Sequence, residues 1–338
     1  MARLLFALFV AGTAAFQEES RLVAIIPEGV DAGYVTFSSD GKVAAYCAGN
    51  DNRFWIVRGD WKSKAYGLPS FPVLRNDGKD VFYGIPTEGH TVLVYRNDFV
   101  LYETGDIREW GWSVPGVISA DGKVQVSQVQ NLKSGQWGVA INGKIQKLHK
   151  GLSSPPVVIS EDGKAFAFAL QNDDGHCIVV NDKPGPTFDW VTTPALSADG
   201  KVVAYGAETE KGFLLIQGEK KTPIPASPKG ILLSSDGKSI GYWKSEKKKD
   251  QKKSERVIMG EKEGPEFASV MQPVFSPDGK HVTYRAKKDD GKWVVVIDDR
   301  TVPVGDIQTN PIFVQDGAKV GYGDRQGREL HWKTLKVE

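Results

Sequence analysis

Residues 274–284 read VFSPDGKHVTY. An apolar residue, Phe275, stands three before Asp278, and Ser276 stands two before it. Asp278-Gly279 is a tight-turn signal. Glycine takes a positive φ without steric cost, and aspartate hydrogen-bonds nearby backbone amides. Beyond the turn, Val282 and Tyr284 alternate with polar residues, as on a half-buried strand. The stretch therefore reads as strand, turn, strand.

The same stretch recurs. Its aspartates are Asp40, Asp77, Asp121, Asp162, Asp199, Asp236, Asp278 and Asp316, spaced by 37, 44, 41, 37, 37, 42 and 38 residues. Every copy has an apolar residue three before the aspartate, and six have serine two before it. Lysine follows the glycine in seven copies, and Ala318 breaks the pattern in the last. The position six after the aspartate is tyrosine in six copies, Phe168 in another and Ser127 in the remaining one. A third strand follows a polar loop, as in FWIVRG at 54–59 and WVVVID at 293–298. A second turn, such as Asn142-Gly143, then leads into a short fourth strand. Arg58-Gly59-Asp60 spells an adhesion tripeptide, but it occupies this second-turn position and reads as turn chemistry.

Four antiparallel strands repeated at this period predict an all-β, eight-bladed β-propeller. Seven blades, with one degenerate copy outside the ring, is the alternative. The last copy stops after its third strand at 329–337, and residues 21–26 have no blade of their own. The N-terminal strand is therefore expected to complete the last blade and close the ring, which removes open sheet edges. Residues 17–338 are then a single propeller domain.

Composition narrows the setting. The chain has 338 residues, with 43 Lys and Arg against 42 Asp and Glu, a formal charge of +1. That balance gives no global attraction to nucleic acid or anionic lipid, so no nucleic-acid partner is expected. After the N-terminus, no apolar run approaches the length of about 20 residues that a membrane span needs. Residues 1–16 read MARLLFALFVAGTAAF, a positive charge, a short apolar run and small residues. This is the layout of a signal peptide, and it predicts a periplasmic or secreted protein, with association to the cell envelope compatible with it. Cys47 and Cys177 fall in blades 1 and 4, too far apart for a disulfide. Two buried thiols are expected.

The motif FSPDGK at 275–280, with Tyr284 after it, resembles the WD40-like PD40 repeat of the TolB β-propeller family. The resemblance spans all eight copies. It implies the fold and a bacterial exported setting, and no chemistry. TolB-like proteins carry an N-terminal α/β domain, and prolyl oligopeptidases with similar repeats carry a hydrolase domain with a G-x-S-x-G elbow. Neither is expected in this chain, which leaves a propeller alone.

No metal-site spacing or phosphate loop stands out, so no catalytic residue, metal or cofactor is predicted. Strand parity places the loops between second and third strands on the same face as the links between blades. His90 and His176 are expected in such loops, in blades 2 and 4. Trp110, Trp112 and Trp190 are expected just before innermost strands, approaching that face. Exposed there, they would suit a sugar ring, a peptide or a partner's side chain; packing beneath the loops is the competing role. Trp55, Trp137 and Trp293 belong to third strands and are expected to pack between blades. Residues 244–256, KSEKKKDQKKSER, read as a solvated loop of seven basic and three acidic residues. The function predicted is a non-catalytic, exported propeller that binds a protein, peptide or glycan on the blade-connecting face. The alternative is a propeller enzyme, a hydrolase or lyase working at the mouth of the central channel.

Overall fold

A computed structural model describes residues 18–50, 53–113, 115–247 and 253–337. The expected signal segment lies outside these residues. Eight antiparallel sheets follow one another along the chain, one for each Asp-Gly hairpin. Blade 1 shows the pattern, with strands Asp31–Phe37, Ala44–Asn50, Arg53–Arg58 and Trp61–Lys62 in sequence order. In blades 3, 5 and 8 the innermost strand is broken into two short pieces, both paired with the second strand. The eight-bladed propeller is thus the fold.

Blade 8 closes the ring as the repeat arithmetic predicts. Strand Glu18–Ile25 pairs antiparallel with Glu329–Lys336, from Glu18 opposite Leu335 to Ile25 opposite Glu329. Lys333 reinforces the seam, lying 3.1 Å from Glu18 and 3.3 Å from the buried Asp324. Lys319 pairs with Glu19 at 2.8 Å. Strands more than 300 residues apart along the chain are held by a main-chain ladder, which leaves no open edge on the third strand of blade 8.

The core lies between blades. Tyr46, Tyr83, Phe168, Tyr205, Tyr242, Tyr284 and Tyr322, the residues six after each turn aspartate, are all buried. In four blades this ring meets a second ring from the segment linking it to the preceding blade. The pairs are Tyr66–Tyr83, His149–Phe168, Phe188–Tyr205 and Phe267–Tyr284, with centroids 6.0–6.3 Å apart. Each linking residue also forms a backbone bridge to a third strand, as Tyr66 does with Phe54. His149 is therefore a packing residue in a ring position. Burial of an aromatic ring of this size contributes about 1.5–3 kcal/mol. Ser127 breaks the pattern because Tyr102, on the outermost strand of blade 2, reaches into its place, with its hydroxyl 3.4 Å from Ser127 Oγ. Cys47 and Cys177 are free and buried.

Candidate functional site

The antiparallel order gives the ring two unlike faces. Asp-Gly turns and third-to-fourth-strand turns share one face. Second-to-third-strand loops and the links between blades share the other, here called the connection face.

The turn face is the same device repeated. In blade 5, Ser197 Oγ donates to Asp199 Oδ1 at 2.8 Å and accepts from Val202 N–H at 3.0 Å. The same aspartate oxygen accepts from Lys201 N–H at 3.1 Å. The equivalent serine is buried in all six copies that have it. In blade 2, Arg75 stands in the serine position and its guanidinium clasps Asp77 instead. Each turn glycine sits against the preceding blade. A Cβ on Gly200 would lie 2.5 Å from Ala165 Cβ, and one on Gly163 would lie 2.9 Å from Val124. Neighbouring turns are stitched by backbone bonds, as Ala198 N–H to Ser235 O at 2.8 Å. Arg58, of the adhesion-like tripeptide, donates to the Gly78 and Lys79 carbonyls of the next turn. That side chain is occupied in structure.

These contacts perturb the turn carboxyls. The Arg75 guanidinium holds Asp77 down at about 2, and the Lys123 backbone N–H, with Ser119, holds Asp121 at about 2. Bonds from Ser234 and the Lys238 backbone do the same for Asp236. Asp40, Asp162, Asp199 and Asp278 are lowered as well. Hydrogen bonds to the ionised form are the shared cause.

The connection face varies from blade to blade. Trp110 and Trp112 lie inside the first piece of the blade 3 innermost strand, Trp110–Trp112, opposite Asn131 and Val129. Trp190 occupies the matching piece of blade 5, opposite Glu208. The three are thus part of innermost strands rather than ahead of them. The reason is that those strands break in the middle, at Thr192–Pro194 in blade 5, so pairing resumes earlier than an unbroken strand would allow. All three are half-buried, and Trp112 Nε1 is buried without a partner. His90 is in the expected loop, exposed, with φ of 59°. His176 is on the third strand Gly175–Val180, opposite Gln171, because a two-residue turn at Asp173-Asp174 shortens the loop. Blade 3 stands between the two histidines.

The charge run at 244–256 also differs from the expected loop. Strands Ile240–Lys247 and Lys253–Met259 extend the hairpin through most of it. Lys244 is buried and pairs with Glu246 at 2.8 Å and Glu263 at 3.0 Å, and Arg256 pairs with Glu263 at 2.8 Å. Lys244 and Arg256 face each other across the strands, and Glu263 of the next strand, bonded to both, offsets their like charges. Residues 248–252 lie outside the described residues.

A feature that the sequence reading missed lies six residues before the turn aspartates, in the middle of the innermost strands. There the strand bulges or breaks, as between Gly33 and Thr36 and between Met271 and Val274. Tyr34 and Gln272 occupy this position with φ of 57° and 38°. A left-handed backbone costs a non-glycine residue about 1–2 kcal/mol. Such strain persists where tertiary structure enforces it, often at ligand sites. Tyr34 is 55% exposed and Phe71, at the same position in blade 2, is 58% exposed. Their rings touch, with centroids 3.7 Å apart. In blades 7 and 8, Asn310 Nδ2 donates to Gln272 Oε1. The sequence signal was a proline at the next position, Pro72, Pro194, Pro273 and Pro311.

Among the described residues no three His, Cys, Asp or Glu side chains gather as metal ligands do, and no helix is long and apolar enough to cross a membrane. No family model and no curated protein matches the chain. Solved structures do. An oligogalacturonate lyase in complex with manganese is 11% identical, with 96% of this chain and 97% of that one covered and a TM-score of 0.48. A eukaryotic initiation factor is 13% identical over 91% and 88%, with a TM-score of 0.50. TolB from Acinetobacter baumannii is 13% identical over 93% and 65%, with a TM-score of 0.34. At this identity the likeness is one of fold. TolB is among the structural neighbours, while membership of the PD40 family has no family-model match behind it.

Proposed function

We propose that this chain is a non-catalytic, exported binding module that presents its connection face to a protein, peptide or glycan. The difference between the faces carries the reading. On the turn face, serines, aspartates and glycines are consumed in holding blades together. Loops and links of the connection face differ from blade to blade, and on the innermost strands between the two faces Tyr34 stands exposed at a positive φ with Phe71 exposed beside it. Loops placed on a rigid ring are where repeat proteins put recognition. The competing reading, a hydrolase or lyase at the channel mouth, needs ionisable groups there. Six residues before the turn aspartates, this chain places rings, amides, a hydroxyl, prolines and a glycine.

The test is capture from a cell-envelope extract with the wild type and with a Trp112→Ala, Trp190→Ala double variant. The reading expects specific capture by the wild type and reduced recovery with the variant. Equal recovery removes those tryptophans from the surface, and no capture at all removes the module reading. Export follows from residues 1–16 acting as a signal peptide. Mass spectrometry of the mature chain is expected to show a new N-terminus close to residue 16, and an intact Met1 would refute it.

A further inference from the structure

We propose that the channel wall formed by the innermost strands of blades 7, 8, 1 and 2 is a binding site for a neutral carbohydrate chain. Tyr34 and Phe71 form its ring platform, and Gln272 and Asn310 read hydroxyls. The inference rests on the binding-module reading and names the ligand chemistry of one arc of the innermost strands.

Four observations converge. The four residues hold the same position in consecutive blades, six before Asp278, Asp316, Asp40 and Asp77, so the closed ring sets them side by side on the innermost strands. Blades 7 and 8 are joined at this level by the Asn310–Gln272 hydrogen bond, and blades 1 and 2 by the Tyr34–Phe71 ring contact. A bulge re-aims the side chain it carries, and both Tyr34 and Gln272 sit at one with positive φ. Of the aromatic side chains among the described residues, three are exposed, and two of them are Tyr34 and Phe71.

The chemistry selects the ligand. Exposed ring faces attract the C–H faces of a sugar as they attract other apolar surfaces. Paired amides offer a donor and an acceptor together, as vicinal hydroxyls require. Asn310 Oδ1 is buried without a partner, an acceptor that a hydroxyl or a water can satisfy. At the same level the other four blades contribute Thr193, two prolines and a glycine, so no ionisable side chain stands there. A nucleotide or an acidic glycan would need a free cation. Lys229, one residue before this level in blade 6, is taken up by Glu255 at 2.6 Å, and Arg325, beside blade 1, donates Nη1 to the Ala32 carbonyl at 3.1 Å and Nε to the Gly327 carbonyl at 2.9 Å. An extended peptide would need a continuous strand edge to pair with. Proline falls within or at the break of the innermost strands of blades 2, 3, 4, 5, 7 and 8 and opens that of blade 6, and each removes a ladder donor that strand addition would use. Side-chain recognition of a neutral ring is what remains.

The experiment is calorimetric titration of the full chain with four neutral hexasaccharides: maltohexaose, cellohexaose, laminarihexaose and N-acetylchitohexaose. Binding of at least one with a Kd below about 10 mM is expected. Phe71→Ala and Gln272→Ala should each weaken it about tenfold. Tyr34→Gly should weaken it as much without lowering the urea midpoint, which separates a lost contact from a lost fold. Absence of binding by all four sugars overturns the proposal. So does binding that Phe71→Ala and Tyr34→Gly leave unchanged, or binding of an unstructured decapeptide pool that these variants abolish. If the sugars fail while envelope capture succeeds, the carbohydrate site falls and the module reading stands.

Discussion

The two faces of this ring are built from one repeat and differ in how much freedom the repeat leaves. On the turn face each blade must meet the next at fixed spacing. A buried serine, a capped aspartate and a positive-φ glycine recur there because few residues satisfy that geometry. On the connection face the linking segments and second-to-third-strand loops differ from blade to blade. The ring of aromatics beneath them carries the packing, so the innermost strands can bulge, break and expose side chains. Repetition marks where the fold is made, and departure from it marks where the surface is specialised.

Acid should break the comparison most severely, because it acts on most of the turn face at once. Seven turn aspartates have carboxyls held below the ordinary value of 3.8. Their unfolded counterparts bind protons first as pH falls, so the stability they contribute is complete above about pH 4 and lost toward about pH 2. Circular dichroism across that range should show cooperative loss of structure. An acid transition centred near neutral pH would assign it to other groups. The second test is one residue on the turn face. Gly200→Val places a Cβ at φ of 68°, against Ala165 at 2.5 Å. Left-handed strain and overpacking together should cost about 3 kcal/mol in urea unfolding; a loss below about 1 kcal/mol would mean that the blades yield there. The smallest expected effect has the opposite sign. Tyr34→Gly relieves a positive φ in the middle of an innermost strand, away from the turn face, and should stabilise by about 0.5–1 kcal/mol. A clear loss of stability would show that this ring serves the fold, and the contrast between the faces would weaken.

The hairpins, the blade count, the closing strand and the seven buried rings could all be read along the chain. Each is enforced by local turn chemistry and period-2 alternation. Less of the candidate site was legible. Trp110, Trp112 and Trp190 were recognisable as residues near the connection face, but their half-burial depends on where an innermost strand breaks. His176 passed for a loop residue because nothing in GHCIVV marks how tight the preceding turn is. The run at 244–256 passed for a solvated loop because its pairing with Glu263 comes from the next strand of the blade. Tyr34 and Phe71 lie 37 residues apart, and neither looks unusual alone.

What the amino-acid order determined unaided is the repeating unit and its number. Turn residues, alternation and spacing are short-range properties, and eight copies overrule any single irregularity. What only the tertiary structure decided is which side chains meet across the ring. The Gln272–Asn310 pair and the Tyr34–Phe71 pair come onto adjacent blades when the first strand docks on the last blade. The bulges that carry Tyr34 and Gln272 reflect a balance between backbone strain and inter-blade packing, which no local stretch encodes.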